Sequence, residues 1–178
     1  MAMIETNPAV THIQQPSSKL CWATSILMMR QVIKGWNPDI TPDRIVQRSM
    51  MAASGTNKTA PDFLIIGAMY DWLGAGKWVK RQLTLAEIKN NIDANLPFMI
   101  GINWNAGGAH AIVCGGYDAK GPDWGLLKLF DPLAPSSATV STDRMIGGKY
   151  DPDYKIGTEN AGGTDRTAGA WTDSFIIA

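Results

Sequence analysis

The chain is 178 residues long, enough for one domain with its own core, and its 45% hydrophobic against 18% charged residues excludes a disordered polypeptide. Sixteen basic and sixteen acidic residues cancel to a formal net charge of zero, and no basic tract stands out, so nucleic acid and anionic membranes are poor partners. No apolar run approaches the roughly 20 residues that span a bilayer, and two cysteines with two histidines supply no structural zinc set.

Residues 1–19 read as irregular, broken by Pro8 and Pro16. The opening Met1 to Pro8 lacks the basic start and apolar stretch of a secretory signal. The expectation is a protein that stays in its cell or leaves by a route needing no such signal. From Leu20 to Lys34 apolar residues recur at helical spacing up to Gly35, which predicts a mostly buried helix with Cys21 in its first turn and Ser17 or Ser18 as cap. Thr41-Pro42-Asp43 opens a second helix, to about Met51. A third, from about Thr59, carries Phe63, Ile66, Met69 and Leu73 on one stripe and ends at Gly74. Thr84 and Glu87 form a capping box for a fourth, to about Asn95.

Strand patterns then take over at 97–104, 109–117, 125–130 and 171–177, separated by Gly- and Asp-rich turns. Helices first and antiparallel strands afterwards predict an α+β fold in one domain, 1–178. Its helical half covers about 15–95 and its sheet half about 97–178. Residues 134–169, rich in Gly, Ser, Thr, Asp and Pro, form a loop-rich insertion. Gly74 to Lys77 lacks the spacing of a phosphate-binding loop and reads as a helix-ending turn; no cofactor or metal site is expected.

A cysteine at a helix start meets the positive end of the helix dipole, which lowers its pKa, so Cys21 is the candidate nucleophile. Its base must come from another part of the chain. His110 opens a strand behind Gly107 and Gly108, a rigid mount with room for close approach. His12 lies in the irregular N-terminal stretch and is the weaker choice. Asp131 ends the following strand, where a hairpin brings it beside His110 to hold the imidazole's orientation. Gln15, or Gln14 if the register differs by one, could donate to an oxyanion beside the backbone N–H of Cys21. Cys114 lies four residues beyond His110, about 13 Å along the strand, and reads as core rather than as a disulfide partner of Cys21. Trp22, Trp72 and Trp171 read as core, while Trp104 and Trp124 lie near strand ends. Trp22, Trp104, Gly108 and Ala109 are the expected substrate contacts.

Gln15, Cys21-Trp22-Ala23 on a helix, His110-Ala111 opening a strand that ends Gly-Tyr, and an acid one strand later resemble the papain-like cysteine peptidases. The resemblance covers residues 15 to about 131. It implies a papain-like fold, peptide-bond hydrolysis, and the roles of nucleophile, base, orienting residue and oxyanion donor for Cys21, His110, Asp131 and Gln15. The shorter spacings and the Asp orienter match compact bacterial relatives, namely plant-pathogen effector peptidases and the leader peptidases of bacteriocin exporters. Protein or peptide substrates are then expected, and, for an effector or toxin, an immunity or inhibitor protein. Cell-wall amidases, deubiquitinase-like enzymes and transglutaminase-like acyl transferases use the same Cys-His pair, and a non-catalytic binding module is the reading from another class.

Overall fold

The structure, a computed structural model, describes residues 2–50, 57–104, 107–122, 124–142 and 169–178. Helix α1 (Cys21–Lys34) buries every residue from Trp22 to Met29, as befits a helix that is apolar nearly all round. Gly35, at φ 80°, ends it. The expected serine cap is absent. Leu20 holds the N-cap position with no side-chain bond, and Ser17 contributes only its backbone carbonyl, to the Leu20 N–H at 3.2 Å. A backbone turn thus replaces a hydroxyl. Helix α2 (Pro42–Met50) is capped by Thr41, whose Oγ1 accepts from the Arg44 N–H; Met51 lies outside the described residues.

Helix α3 (Asp62–Leu73) closes on Gly74 in the left-handed conformation. Its buried face is Ile65, Ala68, Met69, Trp72 and Leu73. Phe63, expected on that stripe, is 71% exposed. Two residues before Ile65, it is rotated about 200° away from it around the helix axis. Helix α4 (Leu85–Asp93) opens on a complete capping box, with Thr84 Oγ1 accepting from the Glu87 N–H and Glu87 accepting from the Thr84 N–H.

The strands are β1 (Ile4–Glu5), β2 (Lys77–Val79), β3 (Phe98–Trp104), β4 (Ala109–Ala119), β5 (Gly125–Phe130), β6 (Ala138–Ser141) and β7 (Gly169–Ile176). They form one antiparallel sheet in the order β2-β7-β3-β4-β5-β6. Strand β2 stands where only a turn was expected, and β6 occupies part of the loop-rich segment, of which 143–168 lies outside the described residues. Strand β4 outruns its neighbour. β3 pairs with it as far as Cys114, and β1 then takes the vacated edge at Gly116 and Tyr117. A side chain at Gly115 would collide with the N-terminal segment, since its Cβ would lie 2.6 Å from Val10 Cγ2 and 2.9 Å from Phe130 Cε2.

Helices α1, α2 and α3 pack on one face of this sheet, against Met99, Val113, Phe130 and Phe175. Helix α4 packs on the other, against Phe98, Ile100, Ile112 and Leu127. With helices in the N-terminal half and an antiparallel sheet in the C-terminal half, the fold is α+β.

Candidate active site

Cys21 is the first residue of α1, half-buried, where the backbone N–H groups have no intrahelical acceptor. The start of this helix is pinned on two sides. Trp22 donates its indole N–H to the Lys58 carbonyl at 2.9 Å, and Ser25 donates to the Ala111 carbonyl at 3.2 Å. The second bond ties α1 to β4 one residue beyond His110.

His110 is the second residue of β4, paired with Ile102 of β3, after a turn in which Gly107 and Gly108 take φ 88° and 89°. Those angles suit glycine alone among common residues. Trp104 stacks on the imidazole, with ring centroids 5.8 Å apart and planes 20° from parallel. Because β4 and β5 pair Val113 with Phe130, the next residue of the chain, Asp131, comes level with the start of β4. Asp131 Oδ1 lies 2.7 Å from His110 Nε2 and accepts the Leu133 N–H at 2.8 Å. Both His110 and Asp131 are buried. With Nε2 directed at Asp131, Nδ1 is the nitrogen left for the Cys21 thiol, with which the ring shares a hydrogen bond.

Burial pushes the Cys21 thiol up, but the hydrogen bond and positive charge of His110, with backbone bonds at Ala111 and Trp22, outweigh it and hold the pKa below its ordinary value. Burial pulls the His110 imidazole down. The charge and hydrogen bond of Asp131, followed by those of Cys21, outweigh that and push it up to about 10. The arrangement thus favours a thiolate beside an imidazolium, a pair able to attack a carbonyl and to protonate a leaving group. The second thiol differs. Cys114 is fully buried, bonded to the Gly116 carbonyl, and desolvation pushes its pKa up to about 12. Both cysteines are free.

Gln15 is tied to the segment that follows Asp131 and is not among the residues lining the cleft. Its backbone N–H donates to the Pro132 carbonyl at 2.8 Å, next to Asp131, while its side-chain amide donates to the Ser17 carbonyl at 2.7 Å. His12, set aside as a base in the sequence reading, approaches the same corner, with Nε2 2.8 Å from the Asp131 carbonyl, to which it donates. Nothing in its irregular sequence surroundings signalled that contact. A cleft of about 440 Å³ opens on Cys21 and His110 and is lined also by Trp22, Gly108 and Ala109. Trp104, expected as a substrate contact, does not line the cleft: it is 5% exposed because it packs over the His110 ring, and Trp124 lies on the β4–β5 turn side, 46% exposed. Asp62 and Asp173 also line the cleft. The sequence signalled Asp62 only as a helix-start acid and gave no sign of Asp173. Among the described residues, no group of three or more His, Cys, Asp or Glu side chains could hold a metal ion.

The sequence profile of the family described as papain-like cysteine protease AvrRpt2 matches residues 4–146, which is most of the chain. No curated protein sequence matches. Among solved structures, a protein described as a C39-like peptidase from Bacillus anthracis is similar at a TM-score of 0.59 and 14% identity, over 98% of this chain and 97% of that one. The precursor of recombinant stem bromelain is similar at a TM-score of 0.59 and 10% identity, over 99% of this chain and 70% of that one. These two likenesses speak to the fold. The family match speaks to kinship: the chain belongs to the AvrRpt2 family of papain-like cysteine proteases and is a cysteine-type peptidase.

Proposed function

We propose that, as a member of this family, the protein hydrolyses peptide bonds with Cys21 as nucleophile, His110 as base and acid, and Asp131 as the group that orients and charges the imidazole. The observation that carries the assignment is the continuous hydrogen-bonded line from the Cys21 thiol at the start of α1, through His110, to the buried Asp131 at 2.7 Å.

The Cys21 thiolate attacks the substrate carbonyl, and the developing oxyanion is met by the Cys21 backbone N–H. Gln15 is the second donor. An amide nitrogen carries two hydrogens, and the bond to Ser17 uses one of them. Collapse of the adduct expels the amine, which takes its proton from His110, leaving a thioester on Cys21. Water attacks that thioester, giving its proton to His110, and expulsion of the Cys21 thiolate releases the acid and restores the thiolate–imidazolium pair. Trp22, Gly108 and Ala109 line the cleft where the substrate lies. Trp104 serves by covering the imidazole. The name of the family further suggests an effector or toxin acting on protein substrates.

Hydrolysis of denatured casein and of mixed peptides, followed by mass spectrometry, tests the scheme. Cys21→Ala should abolish cleavage while leaving the circular dichroism spectrum unchanged. Undiminished cleavage by that variant rules the scheme out.

A further inference from the structure

The cleft has two walls beyond the thiol. One is the segment leading into α3, with Ala60, Asp62 and Ile65; the other is β7, with Asp173 and Phe175. Between them lies Gly101 of β3, where an added Cβ would come within 3.0 Å of Asp173 Cβ and 3.4 Å of Phe175 Cε2. The absence of a side chain at Gly101 leaves the β7 wall open to the cleft.

Two acidic residues from separate elements therefore line one pocket together with apolar side chains. Asp173 is held in place by two hydrogen-bond donors. Trp78 donates its indole N–H to one oxygen at 2.8 Å, and the Thr172 hydroxyl donates to the other at 2.7 Å. Asp62, in the first turn of α3, is favoured as an anion by the helix dipole. That accounts for Asp62 as an ordinary helix-start acid, but it leaves Asp173 unexplained. Like charges across a cleft are unfavourable, and partial burial, with the charge of Asp173, raises the Asp62 carboxyl above its usual range, partly offset by Lys80. Lys80 itself is exposed, its Nζ 4.2 Å from the centroid of the Trp78 ring. Among the described residues, neither carboxylate is in an ion pair.

We propose that Asp62 and Asp173 make this peptidase selective for substrates that place a lysine or arginine side chain in the pocket between α3 and β7, beside Cys21. The aliphatic stem of such a side chain packs on Ala60, Ile65 and Phe175, while its charged end meets the two carboxylates. A glutamate there meets repulsion, and an apolar chain desolvates the carboxylates without supplying a counter-charge. The inference rests on the cleft being a peptide-binding site, and its test is separable from catalysis.

That test is equilibrium binding to the Cys21→Ser variant, which lacks the thiolate. One lysine is walked through each position of a Gly/Ala/Leu hexapeptide, with norleucine and glutamate versions as comparisons. At one position lysine should bind roughly tenfold more tightly than norleucine, a gain intermediate between exposed and buried ion pairs. The gap should narrow at high salt and close to about twofold when Asp62→Asn and Asp173→Asn are combined, both of which keep hydrogen-bonding capacity and are checked by thermal melting. Equal binding of lysine and norleucine at every position overturns the proposal, as does a lysine preference that survives both substitutions in a folded protein. A charge preference in binding, with none of these peptides cut by the native chain, upholds the pocket and counts against the peptidase scheme alone.

Discussion

Graded replacement of Asp131 separates its charge from its geometry. Asparagine keeps an oxygen able to accept from His110 Nε2 and from the Leu133 N–H, but removes the negative charge. What is lost is the charged component of a buried bond, worth about 1.5–3 kcal/mol, so peptide hydrolysis should fall about 10- to 100-fold. Alanine removes the acceptor of both bonds and leaves the Nε2–H side of the imidazolium unpartnered in the interior, a change that costs about 3–5 kcal/mol and about 10²–10⁴ in rate. The pH dependence supplies an independent reading. His110 is raised to about 10, so its favourable contribution is complete below its ordinary pKa of about 6.5 and is lost as pH rises through about 10. In the Asp131 variants the alkaline limb of Cys21 alkylation by iodoacetamide, which reports the ion pair, should move to lower pH. The acid limb should move up toward the ordinary thiol value, because the thiolate loses its cation. Rates and pH profiles equal to wild type in both variants refute the reasoning, and an alanine variant no worse than asparagine refutes the orienting part of it.

Other outcomes follow from the same structure. A disulfide-exchange reagent at neutral pH should titrate one thiol in the native protein, Cys21, and two after denaturation, because Cys114 is fully buried with its pKa pushed up to about 12. Gly115→Ala should destabilise the fold by about 1–3 kcal/mol in chemical denaturation, since its methyl would meet Val10 and Phe130 below 3.0 Å. Thr84→Ala should cost about 1 kcal/mol by breaking the capping box of α4, seen as a melting temperature about 2–4 °C lower. Glu87 in that box is held down at about 2 by Arg81 and by the Thr84 backbone. Its stabilising effect should be full above its ordinary value of 4.5 and fade as pH falls through about 2, a small effect for so exposed a pair.

The parts of the fold legible in the sequence are those set by local rules. The extent of α1 follows from its apolar run and Gly35, and the start of α4 from the Thr84–Glu87 box, because each signal lies within a few residues of the structure it directs. Strand β2 was illegible because Lys77 to Val79 has one partner, β7, nearly a hundred residues away, and three residues after a glycine look like a turn. Strand β1 is two residues long and exists only because β4 extends past β3. Phe63 was assigned to the wrong side of α3 because the helical stripe could be drawn through it or through Ile65, and only packing against α1 and α2 decides between them. At the site, the residue types of Cys21, His110 and Asp131 were legible, with the hairpin that brings the last two together. Asp62 and Asp173 come to line one cleft only through tertiary folding, and no spacing in the chain announces that.

The placement of β7 between β2 and β3 also has a consequence for how the molecule is made. The ribosome delivers this strand after every other described element, yet it occupies an interior position in the sheet. Strands β3, β4 and β5, with α1, can bring Cys21, His110 and Asp131 together from sequence already emerged. The wall bearing Asp173 and Phe175 cannot exist until β7 inserts, and pairing over such long separations is slow. During synthesis, therefore, Cys21 and His110 can meet before the β7 side of their cleft is built.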